Sequence, residues 1–227
     1  MFSTESHLVG TLKLNYDSIC HWDTNKFDTT VLEEVNLGYG IADLVISKVE
    51  GIASGTVCEL TYFDAVVYKI IESKGEISYD SLREVTKVGS GVLGRSLSKL
   101  ISSGYIENVD SLIKFRRAYI GISTDSIAVE AKLKNWRRAL NQAYRYKWFA
   151  SKSYVVLDGS YIRPAIANID EFRKMNVGLA EIDRSGALSM HYRPKKSTPI
   201  DRAMWIMLNE ELKNYFLERK NDFHVSK

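Results

Sequence analysis

The stretch Ser126–Leu133, SIAVEAKL, constrains this chain more than any other, because it reads as a core strand that carries an acid and a base on one face. Side chains alternate along a strand, so Ile127, Val129, Ala131 and Leu133 fall on one side and Ser126, Ala128, Glu130 and Lys132 on the other. An ion pair on the solvated face of an edge strand would look the same. The flanking segments therefore decide what Glu130 and Lys132 are for.

Upstream, TVLEEVNL at 30–37 has the spacing of a short amphipathic helix that ends at Gly38 and Gly40. The following IADLVISK reads as a strand, with Ala42, Leu44 and Ile46 on one face and Asp43, Val45 and Ser47 on the other. Downstream, Asn135 is placed to cap a helix, NWRRALNQAYRYKWFA. Trp136, Ala139, Leu140 and Ala143 form its packing face, and Arg138, Gln142 and Tyr146, four apart, form a polar stripe. SYVVLD at 153–158 is a further apolar strand, and GLAEID and ALSMHYRP are two trailing ones. YIRPAIANIDEFRKM, between them, is a loop and a helix.

Residues 61–117 have a different texture. TYFDAVVYKIIESKG has Phe63, Val66, Val67, Ile70 and Ile71 at helical spacing and stops at Gly75. A second helix follows, capped by Ser78. In the third, Leu93, Leu97, Leu100 and Ile101 make an apolar stripe, and Ser90, Arg95, Ser96 and Lys99 face away from it. YIEN and LIKFRR then read as a hairpin. Three helices and a hairpin in this order resemble a winged helix-turn-helix. From Lys87 to Arg117 there are six basic residues against the acidic Glu107 and Asp110. Ser90, Arg95, Ser96, Lys99, Lys114, Arg116 and Arg117 are accordingly the residues expected to touch DNA.

An acid on one strand, Glu-x-Lys on the next, a helix with Gln-x-x-x-Tyr and then another strand resemble the PD-(D/E)XK nuclease superfamily, in particular its RecB-like branch. Asp43, Glu130, Lys132, Gln142 and Tyr146 carry the likeness, and Glu33 or Glu34 stands where the family has a first-helix glutamate. The chain departs from the pattern in having Ile-Ala-Asp in place of Pro-Asp. It also has 86 residues between Asp43 and Glu130, where a short hairpin is usual. An inserted winged-helix unit accounts for that gap, since strand ends accept insertions whose termini lie close together.

The resemblance implies an α/β fold with a restriction-endonuclease-like mixed sheet flanked by helices, formed by residues 1–57 and 118–227, and an inserted winged-helix domain at 58–117. It implies a Mg2+-dependent deoxyribonuclease, with Mn2+ as a substitute. Asp43, Glu130 and the carbonyl of Ala131 would hold the ion, carboxylate oxygens being the ligands magnesium prefers. Lys132 would stabilise the developing negative charge, and Gln142, Tyr146 and Arg138 would shape the phosphate pocket. Seven basic residues and no acidic one between Lys132 and Lys152 suit a duplex laid along that edge.

Composition narrows the field further. The net charge of +3, from 31 basic and 28 acidic residues, is too small to prove a polyanionic partner. Cys20 and Cys58 are far apart and the four histidines follow no ligand spacing, which argues against zinc and a disulfide framework and for a cytoplasmic protein. No basic and apolar leader opens the chain, and no run approaches the ~18 apolar residues of a membrane span. The final helix, with Trp205, Leu208, Leu212 and Phe216 on one face, reads as a lid over the core or as a homodimer contact. The role expected is a restriction-like, genome-defence or repair endonuclease. The alternatives are a catalytically silent nuclease fold acting as a DNA-binding or regulatory module, and an RNA-processing nuclease.

Overall fold

The computed structural model describes residues 1–38, 40–50 and 59–225. The expected domain boundary at 57/58, Cys58 and Tyr39 lie outside the described residues. In chain order the elements begin with α1 (Glu5–Leu14), β1 (Thr29–Asn36) and β2 (Ile41–Val49). Then come α2 (Tyr62–Lys74), β3 (Glu76–Ser78), α3 (Tyr79–Thr86), α4 (Ser90–Ser102), β4 (Ile106–Val109) and β5 (Leu112–Phe115). The remainder is β6 (Ser123–Lys132), α5 (Trp136–Arg145), β7 (Lys152–Asp158), α6 (Arg163–Ile166), α7 (Ile169–Met175), β8 (Gly178–Ile182), β9 (Leu188–Tyr192) and α8 (Arg202–Val225).

The chain divides into two units, Met1–Gly51 with Ser123–Ile200 and Ile52–Ile122 with Asp201–Lys227. The first is mixed α/β, a six-stranded sheet in the order β1-β2-β6-β7-β8-β9. β6, β7 and β8 run parallel, and β1, β2 and β9 are antiparallel to their neighbours. Residues 30–37 thus correct the sequence expectation of a helix. Val31, Leu32 and Val35 fit either period, but Thr29, Thr30, Val31 and Val35 are β-branched, and pairing along β2 decides in favour of a strand. The actual first helix is α1, where the Thr4 side chain accepts from the His7 amide and Leu8 and Leu12, one turn apart, are buried. Those two leucines join Phe2, Leu44, Ile46, Ile127, Val129, Ala131, Tyr154, Val156, Ala180 and Ile182 in one apolar core.

In α5 the Asn135 side chain caps the Arg138 amide, and Trp136, Ala139, Leu140 and Ala143 are buried, as the apolar spacing requires. Gly178 opens β8 opposite Tyr154. A Cβ there would lie 2.1 Å from the Tyr154 ring, so only hydrogen fits.

The second unit is built on α2, closed at its start by a reciprocal Thr61–Asp64 capping box and at its end by Gly75 at φ 76°. β3, β5 and β4 form a three-stranded antiparallel sheet in that order. Its core takes Leu60, Val67, Ile71, Leu82, Leu93, Leu97, Leu100 and Ile113, together with Ala203 and Ile206 of α8. Ile101, expected in the apolar stripe, is 42% exposed. The C-terminal helix therefore belongs to this unit and packs against α2, where the sequence pattern suggested a lid over the core and grouped residues 118–227 with the sheet. Its apolar face was read correctly as buried at Leu208 and Leu212, but an amphipathic pattern does not say which core it serves. Buried Glu210 fixes the docking: it accepts from the Leu60 amide at 2.9 Å, from the Tyr119 hydroxyl at 2.5 Å and from Lys213 at 2.7 Å.

Two substitutions test these contacts. Gly178→Ala is expected to lower stability by about 1–3 kcal/mol in urea denaturation, the usual cost of overpacking a core. Glu210→Ala leaves the Leu60 amide and the proton of the Tyr119 hydroxyl without their acceptor, while that hydroxyl still accepts from Lys213 at 2.8 Å, and is expected to cost about 2–4 kcal/mol. In amide hydrogen exchange, that loss should appear first in α2 and α8.

Candidate active site

β2 and β6 are backbone-paired as far as Leu44 and Val129. Beyond that point a side chain takes over: Asp43 Oδ2 accepts the Ala131 amide at 2.7 Å. Strand alternation puts Glu130 on the same side as Asp43, and Glu130 is 1% exposed. Lys132 Nζ lies 3.0 Å from Glu130 Oε1 and 3.1 Å from Glu5 Oε2 at the start of α1. The Tyr146 hydroxyl, just past α5, donates to the Ile41 carbonyl at 2.6 Å and also touches Glu130 Oε2. Two strands and two helix ends thus bring together Asp43, Glu130, Lys132, Tyr146, Glu5 and the Ala131 peptide.

Electrostatics set this cluster apart. Burial pushes the Asp43 carboxyl up, and the Ala131 amide and Lys132 offset this only in part, while Glu5 and Glu34 add to it. Glu130 is pushed up too, first by burial and then by the charge of Asp43, against the pull of Tyr146 and Lys132. For Lys132 burial opposes the charge, but Glu130, Asp43 and Glu5 outweigh it and the ammonium is held more firmly. Tyr146 is raised by burial and by Glu130, so its hydroxyl keeps its proton.

The remaining expected residues divide cleanly. Gln142 lines a cleft of about 460 Å3 with Gly40, Arg138, Asn141, Arg145 and Tyr146, and its buried Oε1 has no hydrogen-bond partner. Glu33 is on β1, ion-paired with Lys13 at the surface. Glu34 interrupts the β1–β2 ladder at φ 51°, at the level of Asp43. Neither is on a helix. The helical acid is Glu5, which the sequence reading missed. Thr4, Glu5, Leu8 and Leu12 carry a cap, a first-turn acid and a one-turn apolar repeat, and that was the signal available.

In the second unit Ser96 is buried beside Asp64, and so is not on the outer face where it was expected. Lys99 binds Asp64 at 3.0 Å and the Glu59 carbonyl at 2.7 Å. Arg117 holds the Ser103 carbonyl and stacks on Tyr105, and Lys114 pairs with Glu76. Ser90, Arg95 and Arg116 are exposed.

Scans against family models, curated proteins and solved structures find no match. Among the described residues no set of three or more His, Cys, Asp and Glu side chains has the geometry of a metal site, and no described helix is long and apolar enough to cross a membrane. The donors present are hard oxygens. Two close carboxylates, each raised in pKa and one raising the other, suit a divalent cation that keeps much of its water.

The sign of the pH effect follows from the raised values. Near pH 3, where unfolded carboxyls are largely protonated, the pair costs little. As the pH rises from the unfolded carboxyl values to the raised folded ones stability is lost, and above the folded values the full penalty is present. Metal-free Asp43→Asn, which keeps an acceptor for Ala131, is expected to melt higher than the parent at pH 8, by ~2–4 °C per kcal/mol relieved. The gap should shrink toward pH 3 in thermal melts with EDTA. A lower melting point at pH 8 would mean that the carboxylate stabilises the site.

Proposed function

We propose that this chain is a divalent-cation-dependent nuclease of PD-(D/E)XK type that hydrolyses DNA phosphodiester bonds, in a restriction-like, defence or repair role. The observation that carries the reading is the convergence of Asp43, Glu130 and Lys132 from neighbouring strands, with both carboxyls raised and the ammonium held charged between Glu130 and Glu5. The order α1, β1, β2, β6, α5, β7, with Tyr146 at the end of α5 touching Glu130, supports it further.

Asp43, Glu130 and the Ala131 carbonyl would hold Mg2+, or Mn2+ in its place. When bound, such a cation neutralises phosphate charge and acidifies a water. The chain's own residues do the rest. Lys132 sets a fixed positive charge beside the carboxylates, where negative charge grows on the phosphate oxygens, and Glu5 and Glu130 limit its motion. Tyr146 orients Glu130 from the α5 side, and Gln142 and Arg138 face the strand from the cleft.

Residues 58–117 are read as a winged helix that binds duplex DNA. Support comes from the order α2, β3, α3, α4, β4, β5 and from the sheet order β3-β5-β4. Of the six basic residues from Lys87 to Arg117, Lys99, Lys114 and Arg117 are engaged internally, which leaves Arg95 on α4, Lys87 before it and Arg116 after the hairpin for phosphate. A major groove that admits a helix favours DNA over RNA as the substrate.

Supercoiled plasmid, linear duplex and structured RNA incubated in Mg2+, Mn2+ and EDTA test the proposal. Metal-dependent cutting of DNA is expected, with Lys132→Ala and Asp43→Asn lowering the rate by ~10²–10³-fold while remaining folded. Equal duplex binding by all three proteins with no cutting would favour the silent DNA-binding module, and cutting confined to RNA would favour a processing nuclease.

A further inference from the structure

Asp158 is the last residue of β7 and is 1% exposed, and its carboxylate stands outside the Asp43–Glu130 cluster. One oxygen, Oδ1, accepts the Ser160 amide at 2.8 Å and caps the turn Gly159–Tyr161 that follows the strand. The other, Oδ2, accepts the Phe2 amide at 2.6 Å, from 156 positions away. Burial alone would push this carboxyl up, but the Ser160 and Phe2 amides hold it below the ordinary carboxylate range, so it keeps both partners as an anion. With both oxygens committed the group cannot turn, and the chain at residue 2 is fastened to the end of a core strand.

That fastening reaches the carboxylate cluster in three residues. Phe2 is 1% exposed in the core it shares with Leu8 and Leu12 of α1, and the His7 ring meets it edge-on at 5.4 Å. The Tyr161 hydroxyl donates to Met1 Sδ at 2.8 Å. Thr4 then caps α1, whose first residue is Glu5, and Glu5 Oε2 lies 3.1 Å from Lys132 Nζ. Lys132 is paired in register with Leu157, the neighbour of Asp158. The path Lys132, Leu157, Asp158, Phe2, Glu5 therefore closes on itself, and every link but the last is backbone or buried.

The last link is the weak one. Helix ends fray, and an ion pair with a half-exposed partner is worth little by itself, because two long side chains must be held still. A ring that fixes the start of α1 beforehand removes part of that cost. The other partner of Lys132 is the buried Glu130, so Glu5 is what holds the ammonium whenever a ligand engages Glu130.

We infer that Asp158 is a positioning residue for Lys132: through Phe2 and the strap of residues 1–4 it sets where Glu5 stands, and Glu5 holds the ammonium beside the carboxylates. Its effect on cutting rests on the nuclease reading, and its effect on Lys132 does not. Were Asp158 only a turn cap, Lys132 would be indifferent to its loss.

Correlation spectra of the 15N-labelled lysine ammonium groups, recorded in EDTA at fixed pH and low temperature, test this, because an ammonium proton is seen only where a partner slows its exchange with water. Lys132→Arg identifies the signal. The proteins are the parent, Asp158→Ala, Glu5→Gln, the two combined, and a chain with one glycine inserted between Ser3 and Thr4. The insertion leaves Asp158 and Phe2 free to bond and lengthens the strap by about 3.5 Å. Asp125→Asn is the control, another buried acid, bound to His21, Ser151 and Lys196 at the opposite end of β6. Each is checked by circular dichroism and urea denaturation, and where Asp158→Ala fails to fold the insertion decides.

The Lys132 signal is expected in the parent and in Asp125→Asn, and is expected to vanish in Asp158→Ala, in Glu5→Gln and in the insertion. With Mg2+ and DNA, Asp158→Ala and Glu5→Gln should each lower kcat by ~10–100-fold with KM little changed. The combined variant should fall no further than Glu5→Gln, since losses that act through one contact do not multiply. A signal that survives in Asp158→Ala or in the insertion overturns the inference even if the parent cuts DNA, which leaves the nuclease reading standing. Its absence from the parent, or its loss in Asp125→Asn as well, overturns it too. Loss in the strap variants with the control intact, in a protein that cuts nothing, upholds the positioning and removes the nuclease.

Discussion

The hydrogen bond from the Ala131 amide to Asp43 does the work of a missing rung in the sheet. Where the backbone pairing of β2 and β6 stops at Leu44 and Val129, a side chain closes the gap. The same bond aims one carboxylate at another. Had a backbone carbonyl taken that amide, Asp43 would be free to turn to solvent and Glu130 would be an isolated buried acid. The bond thus couples the end of the ladder to the electrostatic character of the site, and Lys132, Glu5 and Tyr146 are arranged around the charge that results.

That charge is held at a cost. Both carboxyls are raised by burial, and the ammonium between Glu130 and Glu5 compensates only in part. Elsewhere in the chain buried acids are treated differently. Asp125, also buried, is driven low because Ser151, Lys196 and His21 together outweigh its desolvation. Asp64 is likewise lowered, by Ser96, Thr61 and Lys99. A chain that lowers Asp125, Asp64 and Asp158 leaves Asp43 and Glu130 raised side by side, as pre-organised binding sites commonly do.

Much of this was legible in the residues themselves. Alternation in SIAVEAKL and IADLVISK reported which face Asp43, Glu130 and Lys132 share, and the one-turn spacing of Arg138, Gln142 and Tyr146 reported a common side of α5, because both periods are local. What failed was non-local. TVLEEVNL satisfied a helical spacing, but the neighbouring strand made it β1. Ser96 and Lys99 looked solvent-facing by period, yet Asp64, at the start of another helix, draws both inward. Glu5 was overlooked because nothing near it in sequence advertises that Lys132 waits more than a hundred residues away.

The docking of α8 has a consequence in time. Glu210 accepts the Leu60 amide across 150 positions, and the Phe2 amide binds Asp158 across 156. Neither unit can close before its later segment has been made. The apolar faces of α2 to α4 wait for α8, and β1 and β2 wait for β6. Such distant contacts slow folding and expose unfinished surfaces in the interval. Removal of α8 would therefore be felt first by α2, against which it packs, before any strand of the six-stranded sheet.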